Sequence, residues 1–412
     1  MTIAYSNIKY THNTQIKDTK MATLKTKIYN IEFENPFLLA SAPPTARIDS
    51  IDKAFKMGWG GAVLKTITPD NLEMIEASPR YAAWKANGKI YGFENIEMLS
   101  HLTVQEWLDG IAYLKANHPT KVIIASIMAP VIKEEWQKLV KTFNNSPIDA
   151  FELNFSCPHG MPEKGIGMAI GTHPEISANI TTWVKEVSEK PVFVKLSPNV
   201  SNITEITQAV VNAKADGLSA INTVQSLMGV DLDTFEPQPN VNGTSTFGGY
   251  SGIAVKPIGL RCVAQVRQTT DLPILGIGGI ANWHDAAEYI SIGADVVQVC
   301  TEVMVNGYSI IKPMCKGLLT YLEDKGFDSP ADLKNKAFIK LTAHKDLNKQ
   351  RQYYPYINDE TCLKCGKCVT ICDEQEHSAL SKENGHIELD KTKCIGCSLC
   401  SLVCSQSAIK MR

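Results

Sequence analysis

Eight of the twelve cysteines of the 412-residue chain lie in two runs of equal spacing near its C-terminus. Within each run, two residues separate the first three cysteines from one another, and three residues precede the fourth. Bacterial ferredoxins use this spacing to hold two 4Fe-4S clusters, and the fourth cysteine of each run then ligates the other cluster. The expected ligand sets are Cys362, Cys365, Cys368 and Cys404 for one cluster, and Cys394, Cys397, Cys400 and Cys372 for the other.

Structural zinc is the alternative for such a group of cysteines. Four-cysteine zinc sites rarely place three cysteines this close together, so the duplicated run favours iron–sulfur clusters. The proline that commonly follows the fourth cysteine is Asp373 in one run and Ser405 in the other. We expect Cys372 and Cys404 each to begin a helix. Because such clusters carry single electrons, the tail predicts a redox cofactor elsewhere in the chain, and a flavin is the natural candidate.

Two lysines and one cysteine stand where apolar runs end in the preceding part of the chain. Lys65 and Lys195 would lie at the mouth of an active site if these runs are strands, and a cation there stabilises the negative charge of a reduced flavin. A surface lysine is the alternative for either. Cys157 follows Asn154 and Ser156, and its thiol can act as a general acid because unperturbed cysteine titrates near about 8.5. A buried structural cysteine is the alternative there.

A glycine-rich segment, Gly276-Ile277-Gly278-Gly279, ends another apolar run, and Val299-Cys300-Thr301 ends the next one. Backbone N–H groups at such positions bind phosphate in barrel enzymes. The segment does not complete the Gly-x-Gly-x-x-Gly pattern of dinucleotide sites, and no credible nicotinamide-binding domain is found elsewhere. It therefore indicates a phosphate site for a flavin.

The apolar runs alternate with amphipathic stretches of helical length, such as 134–143, 174–188 and 282–292. The eight candidate strands are 36–42, 61–66, 122–128, 150–156, 191–197, 217–223, 273–278 and 294–301. Eight strands in such a repeat predict an α/β fold, a (β/α)8 TIM barrel, here with a C-terminal two-cluster ferredoxin-like domain. A doubly wound sheet is the alternative, but it usually has about five or six strands. Barrel active sites form at the C-terminal ends of the strands, where the lysines, the thiol and the glycines stand.

Two long segments interrupt the repeat, 69–102 after the second strand and 224–256 after the sixth. Long loops on the catalytic face of a barrel usually act as lids or binding loops. After the barrel the composition turns polar and aromatic before the cysteine-rich tail begins. The expected domains are a flexible N-terminal arm at 1–24, the FMN-binding barrel at 25–344, a linker at 345–356 and the ferredoxin-like domain at 357–412.

Composition and charge exclude several classes of partner. With 41 basic and 43 acidic side chains the net charge is −2, which gives no bulk attraction for nucleic acid or anionic lipid. The longest apolar stretch, 122–132, is far shorter than the roughly 20 residues that span a bilayer, so no membrane segment is expected. The N-terminal residues lack the continuous apolar core and the small-residue cleavage site of a secretory signal. Clustered cysteines indicate metal binding in a reducing cytoplasm rather than disulfides.

From about residue 31 to residue 327 the chain resembles the flavin-binding barrel of the dihydroorotate dehydrogenases. It resembles more closely the pyrimidine-reducing part of the NAD-dependent dihydropyrimidine dehydrogenases, which also carry a C-terminal ferredoxin module. The matching motifs occur in order along the chain and are Asn35-Pro36-Phe37, Ala40-Ser41-Ala42, Gly58-Trp59-Gly60, Leu64-Lys65-Thr66, Ser78-Pro79-Arg80, Asn95-Ile96-Glu97, residues 154–160, Lys195, Asn222-Thr223, Gly248-Gly249-Tyr250-Ser251-Gly252 and residues 276–279.

The resemblance implies an FMN site and a pyrimidine site. The FMN site would consist of Ala42, Lys65, Thr66, Lys195, Gly252, Gly278, Gly279, Cys300 and Thr301. The pyrimidine would lie among Asn95, Asn154, Ser156, Asn222 and Thr223, since asparagine amides supply both donors and acceptors to a neutral base. Cys157 matches the acid of the family, which protonates C5 as reduced FMN delivers hydride to C6. The loop 161–171 would close over the ring, and Pro162 in it replaces a glycine common in relatives.

The implied activity is reduction of uracil and thymine to their 5,6-dihydro forms by a catalytic subunit. Electrons from NADH would reach FMN through a partner flavoprotein that binds FAD and NAD, and then through both clusters, in a heterotetramer of two such chains and two partners. One alternative is a dihydroorotate dehydrogenase-type enzyme with a ferredoxin tail, although His159 agrees with the dihydropyrimidine branch. A second is an electron-transfer or assembly subunit without catalysis, which the complete set of Lys65, Cys157 and Lys195 argues against.

Overall fold

The computed structural model of the chain describes residues 21–72, 75–155 and 168–412. Two compact units are present, the first ending at Lys340 and the second running from Leu341 to Arg412. Most of the arm predicted at 1–24 lies outside the described residues, and the boundaries of the predicted linker stay a prediction. Among the helices of the described ranges, none is long and apolar enough to cross a bilayer.

The first unit repeats the order strand, helix, strand along most of its length. Its strands are β1 (Thr26–Ile28), β2 (Ile31–Phe33), β3 (Phe37–Leu39), β4 (Gly61–Val63), β5 (Tyr81–Ala86), β6 (Lys89–Asn95), β7 (Val122–Ile127), β8 (Ala150–Asn154), β9 (Val192–Leu196), β10 (Gly217–Ala220), β11 (Val224–Ser226), β12 (Gly248–Ser251), β13 (Ile274–Ile277) and β14 (Val296–Val299). Its helices are α1 (Ile48–Met57), α2 (Val104–Asn117), α3 (Lys133–Asn144), α4 (Met168–Gly171), α5 (Pro174–Lys185), α6 (Ile203–Asn212), α7 (Lys256–Thr269), α8 (Trp283–Ile292), α9 (Thr301–Asn306), α10 (Ile311–Lys325) and α11 (Pro330–Leu333).

Eight of these strands are parallel and close into a barrel in the order β3, β4, β7, β8, β9, β10, β13 and β14. The ring closes where β14 pairs with β3 and Val297 lies opposite Phe37. Each barrel strand falls inside one of the eight predicted apolar runs, and α3, α5 and α8 occupy the predicted helical stretches to within a few residues. The predicted TIM barrel is therefore confirmed, and the closed ring excludes a doubly wound sheet.

The barrel forms because its strands and helices bury complementary apolar faces. Every residue of β7 is buried, as expected for a parallel strand that has barrel interior on one face and helices on the other. On the outside, α3 buries Trp136, Leu139, Val140 and Phe143, which recur every three or four residues. The hairpin of β1 and β2 also contributes to the core, because its apolar side chains pack with Val122 and Phe193 of the barrel.

The two segments that interrupt the repeat meet in one antiparallel sheet of four strands, in the order β11, β12, β6 and β5. We call it the accessory sheet. Strand β6 comes from the first interruption and β12 from the second, and they pair with Asn95 opposite Gly249. The long segments expected as lids or binding loops are therefore tied to each other by a strand ladder.

The second unit is small and built around its cysteines. Its elements are β15 (Pro355–Ile357), α12 (Lys367–Glu374), β16 (Leu380–Glu383), β17 (His386–Leu389), α13 (Leu399–Leu402) and β18 (Ile409–Met411). Strand β15 pairs with β18, and β16 pairs with β17. A core of Cys368, Leu380, Ile387, Cys400 and Ile409 holds these elements together.

The expectation that Cys372 and Cys404 begin helices is wrong. Cys372 lies near the end of α12, and Cys404 follows the end of α13. Each helix begins next to the third cysteine of its run instead, directly after a residue in the left-handed conformation: Gly366 with φ 78° before α12 and Ser398 with φ 66° before α13. In each run, the left-handed residue reverses the direction of the loop that carries the first two cysteines. The helix therefore begins beside the third cysteine and leads towards the fourth.

Candidate active site

A cleft of about 1100 Å³ opens at the C-terminal ends of the barrel strands, where barrel active sites form. The structure brings thirteen of the predicted site residues into the lining of this one cleft. They are Ala42, Lys65, Thr66, Asn95, Asn154, Lys195, Asn222, Thr223, Gly252, Gly278, Gly279, Cys300 and Thr301. The other two residues predicted for the barrel site, Ser156 and Cys157, lie outside the described residues. The accessory sheet contributes further lining through Tyr81, Phe93 and Tyr250.

Lys65 lies two residues after the end of β4 and is only 7% exposed. Its Nζ lies 3.1 Å from Oε2 of Glu97, which follows β6 of the accessory sheet. The other oxygen of Glu97 lies 3.9 Å from Nε of Arg80, so the carboxylate faces two cations. Lys65 is therefore a buried lysine with a carboxylate partner, and the alternative of a surface lysine does not hold. Sequence reasoning missed Glu97 as a site residue, although it closes the quoted motif Asn95-Ile96-Glu97.

Lys195 lies in β9 and is 4% exposed. Its Nζ is 3.4 Å from Oε1 of Glu152, a fully buried residue of β8. The other carboxylate oxygen accepts hydrogen bonds from Ser219 Oγ at 2.7 Å and from Gln298 Nε2 at 2.8 Å. Sequence reasoning missed Glu152 and Gln298, yet a charged residue inside an otherwise apolar buried strand is a signal that could have found the first.

A chain of amide and hydroxyl groups crosses one wall of the cleft. Asn154 Nδ2 donates to Thr66 Oγ1 at 2.9 Å, and Asn222 Nδ2 donates to Asn154 Oδ1 at 3.5 Å. On the accessory sheet, Asn95 Nδ2 donates to the carbonyl oxygen of Gly249 at 3.1 Å. Amides carry both donors and acceptors without a net charge, so this wall suits a neutral heterocycle with alternating N–H and C=O groups.

Glycines form another part of the lining. Gly252, Gly278 and Gly279 have φ values of 92°, 125° and 69°, which side-chain-bearing residues rarely adopt. A Cβ on Gly279 would lie 2.7 Å from the backbone nitrogen of Lys256, so the chain approaches itself too closely for a side chain. Such a bare backbone segment at strand ends of a barrel is suited to binding a phosphate through N–H groups.

Cys300 is the thiol among the described residues that line the cleft. Burial raises the pKa of Cys300 to about 11, and the nearby Lys195 and Lys65 lower that pKa only in part. The thiol is therefore protonated at neutral pH. A neutral thiol at this position packs against a ring without adding charge to it.

These residues fit FMN. Two buried lysines can face the electron-rich edge of a flavin ring, and the bare glycine backbone can receive the phosphate. The lining also contains a buried acceptor that has no hydrogen-bond partner, the amide oxygen Oε1 of Gln298.

In the second unit, a cavity of about 410 Å³ is lined by Cys372, Cys394, Cys397 and Cys400. These are the four cysteines that the motif assigns to one cluster. Cys362, Cys368 and Cys404 of the other predicted set pack in the small core of the same unit, and Cys365 is exposed.

Within the described ranges, the group of three or more possible ligand atoms that lie within 4.8 Å of one another is His284, Asp285 and Glu288. The preference for clusters over zinc therefore rests on the duplicated cysteine spacing of the sequence, which is typical of cubane ligands.

Comparison with known families matches residues 23–322 to the family described as dihydroorotate dehydrogenase. Residues 355–411 match the 4Fe-4S dicluster domain. The two matches fall on the barrel and on the cysteine-rich unit respectively.

Three relatives show how far the similarity extends. The NAD-dependent dihydropyrimidine dehydrogenase subunit PreA of Escherichia coli is 38% identical over 354 residues, 85% of this chain and 85% of the relative. The chloroplastic dihydropyrimidine dehydrogenase (NADP(+)) of Arabidopsis thaliana is 35% identical over 341 residues, 80% of each chain. The catalytic subunit of dihydroorotate dehydrogenase B (NAD(+)) of Pyrococcus abyssi is 36% identical over 310 residues, 75% of this chain and 97% of the relative.

Proposed function

This chain belongs to the dihydroorotate dehydrogenase family, and on that premise we propose that it is the catalytic subunit of an NAD-dependent dihydropyrimidine dehydrogenase. In this proposal it reduces uracil and thymine to their 5,6-dihydro forms. The cofactors of the chain are FMN in the barrel and two 4Fe-4S clusters in the dicluster domain. When bound, FMN supplies hydride transfer to a substrate and the clusters supply single-electron transfer.

The observation that carries the choice of substrate is the pairing of charges in the cleft. Lys65 and Lys195 are the cations of the described lining, and each faces a buried glutamate, Glu97 or Glu152. The rest of the polar lining consists mainly of amides and hydroxyls. A neutral pyrimidine matches such a lining, whereas the carboxylate of dihydroorotate would need an unmatched cation.

The relatives support the same choice. The match to the Pyrococcus abyssi protein covers 97% of that relative with 310 residues, which is the size of the barrel unit alone. The matches to the two dihydropyrimidine dehydrogenases extend over 354 and 341 residues of this chain. The longer matches to the dihydropyrimidine dehydrogenases therefore support that branch.

Each group of lining residues has a stated part in this proposal. Lys65 and Lys195 would line the flavin ring, where their paired ammonium groups can still donate hydrogen bonds to it. Ala42, Thr66, Gly252, Gly278, Gly279, Cys300 and Thr301 complete the FMN site. Asn95, Asn154, Asn222 and Thr223 bind the pyrimidine, with Ser156.

Cys157 donates the proton that the pyrimidine receives at C5. This role rests on the family resemblance of residues 154–160, because Cys157 itself lies outside the described residues. A thiol suits the task since it holds its proton at neutral pH and releases it to a developing carbanion.

A partner must deliver the electrons in this proposal. The sequence contains no complete dinucleotide fingerprint, and the Escherichia coli relative is itself named a subunit. We therefore infer a partner flavoprotein that binds FAD and NAD and passes electrons from NADH to the clusters, in a heterotetramer. A cytoplasmic location belongs to the same proposal, because exposed cluster ligands such as Cys365 require a reducing compartment.

The test is turnover of the purified chain under anaerobic conditions, first with an artificial reductant and then with NADH and the co-purified flavoprotein. Uracil and thymine are supplied with these reductants, and dihydroorotate is supplied at equal concentration with an artificial electron acceptor in place of the reductant. We expect dihydrouracil and dihydrothymine as products and no oxidation of dihydroorotate. Conversion of dihydroorotate alone would show a dihydroorotate dehydrogenase-type enzyme, which the family match over residues 23–322 makes the second candidate. Preparations without flavin absorbance would indicate the electron-transfer or assembly subunit.

A further inference from the structure

Gln298 presents a buried hydrogen-bond acceptor to the cleft. It lies in β14, is 1% exposed and belongs to the lining. Its amide oxygen Oε1 has no hydrogen-bond partner among the described residues. Buried acceptors in native proteins are nearly always paired, so an unpaired one that lines a binding cleft points to a donor on the ligand.

Two neighbours fix which way the amide of Gln298 points. Its Nε2 lies 2.8 Å from Oε2 of Glu152, and a carboxylate can only accept, so the NH2 group must face Glu152. Ser219 Oγ donates to the same oxygen at 2.7 Å and lies 3.4 Å from Gln298 Nε2. Turning the amide over would bring its oxygen against the carboxylate and the hydroxyl. The acceptor Oε1 is therefore held away from Glu152 by electrostatics as well as by packing.

Barrel geometry explains why these three residues meet. Glu152, Ser219 and Gln298 come from β8, β10 and β14, which are alternate strands of the closed ring. Side chains from alternate strands form one layer across the interior of a TIM barrel, and this layer is polar where such layers are usually aliphatic. The charge of Glu152 is matched by Lys195 on the adjacent strand β9, with 3.4 Å between Nζ and Oε1.

The two oxygens of Glu152 thus organise two different groups of the cleft. Oε1 faces the ammonium of Lys195, a donor, and Oε2 anchors the amide of Gln298, whose free oxygen is an acceptor. A donor and an acceptor fixed on two sides of one carboxylate match a ring edge that presents a C=O next to an N–H. A cyclic imide has such an edge, and both oxidised flavin and uracil contain one.

We propose that Gln298 is a ligand-binding residue whose Oε1 accepts a hydrogen bond from the imide N–H of a bound heterocycle, with Glu152 as its positioning residue. The inference rests on the proposed function only in that FMN and a pyrimidine are the heterocycles that enter the cleft.

The first arm of the test measures binding of FMN to flavin-free protein by quenching of flavin fluorescence, with no pyrimidine or NADH present. FMN is compared with N3-methyl FMN, which lacks the imide N–H. We expect wild type to prefer FMN by about tenfold or more, the value of one buried hydrogen bond, and Gln298→Met to lose most of that preference. Ser219→Ala is the matched control, because it removes a donor to Glu152 but leaves the acceptor in place, and it should keep the preference.

The second arm measures binding of uracil and of 3-methyluracil to the flavin-loaded protein through the shift in flavin absorbance. If Gln298→Met loses the preference for FMN over N3-methyl FMN, the flavin provides the imide N–H that Gln298 binds. If it loses the preference for uracil over 3-methyluracil, the pyrimidine provides it. If Gln298→Met discriminates as wild type does in both arms, the proposal is overturned.

A second variant keeps the proposal testable if Gln298→Met does not fold. Glu152→Gln replaces the carboxylate with an amide that can also donate, so the amide of Gln298 is no longer held in one orientation. We expect the preference for FMN over its N3-methyl analogue to shrink in this variant and the midpoint potential of the bound flavin to rise, since Lys195 loses its counter-charge. An unchanged preference and an unchanged potential would contradict the positioning role. Because FMN binding requires no turnover, a failed substrate assignment would leave this result intact.

Discussion

Lys65 and Glu97 face each other inside the cleft, with 3.1 Å between Nζ and Oε2 and side chains that are 9% and 10% exposed. Lys65 belongs to the barrel and Glu97 to the segment that follows the accessory sheet. The ion pair therefore fixes the accessory sheet to the barrel at the place where substrate and cofactor are expected to meet. Removing either partner leaves a charge that is mostly shielded from water.

We expect Lys65→Met and Glu97→Gln each to lower the stability of the flavin-free barrel, and the double variant to lose less than the sum. The coupling should be about 1–3 kcal/mol, because the pair is largely buried and close in space. All six tryptophans lie between residues 59 and 283, so tryptophan fluorescence follows unfolding of the barrel without interference from the tail. Strictly additive single effects would show that the pair contributes no coupling.

Gly279→Ala should weaken FMN binding strongly. The new Cβ would lie 2.7 Å from the backbone nitrogen of Lys256, so the glycine segment must shift. Gly326→Ala is the matched control, since Gly326 has φ 67° against 69° for Gly279 but has open space around its Cβ position. Both variants should lose about 1 kcal/mol of stability from backbone strain. Only Gly279→Ala should lower FMN affinity, by about tenfold or more; equal FMN affinity in both variants would remove the glycine segment from the cofactor site.

Cys157→Ala should lower steady-state pyrimidine reduction by about 10²–10⁴-fold, the usual contribution of a general acid. Flavin content should stay at the wild-type value, because the proton donor does not hold the cofactor. Cys315→Ala, a half-buried cysteine on α10 outside the cleft lining, serves as the control for loss of a thiol. Turnover of Cys157→Ala close to wild type would refute the assignment of the acid.

Cys365→Ser should remove one cluster and halve the iron and acid-labile sulfide content. NADH-dependent turnover with the partner should then fall to background, because the chain of single-electron carriers is broken. Enzyme reduced chemically should still convert uracil to dihydrouracil in a single turnover. Leu363→Ala, an exposed neighbour in the same loop, should retain full iron content. Full NADH-dependent activity in Cys365→Ser would show that this cysteine is not part of the electron path.

Glu94 predicts a pH dependence of stability. It is fully buried in β6, and this burial raises the pKa of its carboxyl, although a hydrogen bond from Ser226 lowers that pKa in part. The folded chain therefore holds the proton more tightly than the unfolded chain, whose glutamates titrate near about 4.3. The stabilising contribution is complete below that pH and is lost as the pH rises through the folded pKa.

The thermal midpoint of the barrel should accordingly fall less between pH 4.5 and pH 8 in Glu94→Gln than in wild type. The exposed Glu134 on α3 provides the control, and Glu134→Gln should reproduce the wild-type pH profile. Identical profiles for wild type and Glu94→Gln would show that this carboxyl does not titrate differently in the folded barrel.

The barrel could be predicted from sequence because its strands are buried on both faces and so read as continuous apolar runs, as β7 does. The accessory sheet could not, because β5 is half exposed and carries no strict alternation, and its pairing depends on contacts between distant segments. Lys65, Lys195 and the glycines at strand ends were predictable from barrel topology, and the other cleft residues from the family resemblance. Glu152 could have been found as a charged residue within an apolar run, whereas Glu97 and Gln298 could not, since their partners were not known from the sequence.

The cysteine ligands were predictable for a different reason. Their identity follows from covalent spacing along the chain, which does not depend on tertiary packing. The helices beside them were misplaced by several residues, because the starting points are set by the left-handed residues Gly366 and Ser398. Serine rarely adopts the left-handed conformation, so the sequence did not indicate that a helix begins after Ser398.

Asn95 and Gly249 stand opposite each other in the accessory sheet, although 154 positions separate them along the chain. That wall of the cleft is therefore assembled from two insertions that leave the ring of eight strands untouched. The part of the ring-binding wall that Asn95 contributes is consequently carried by stretches of the chain that do not form the barrel. These two stretches share one ladder, so a change of backbone in one must be accommodated by the other.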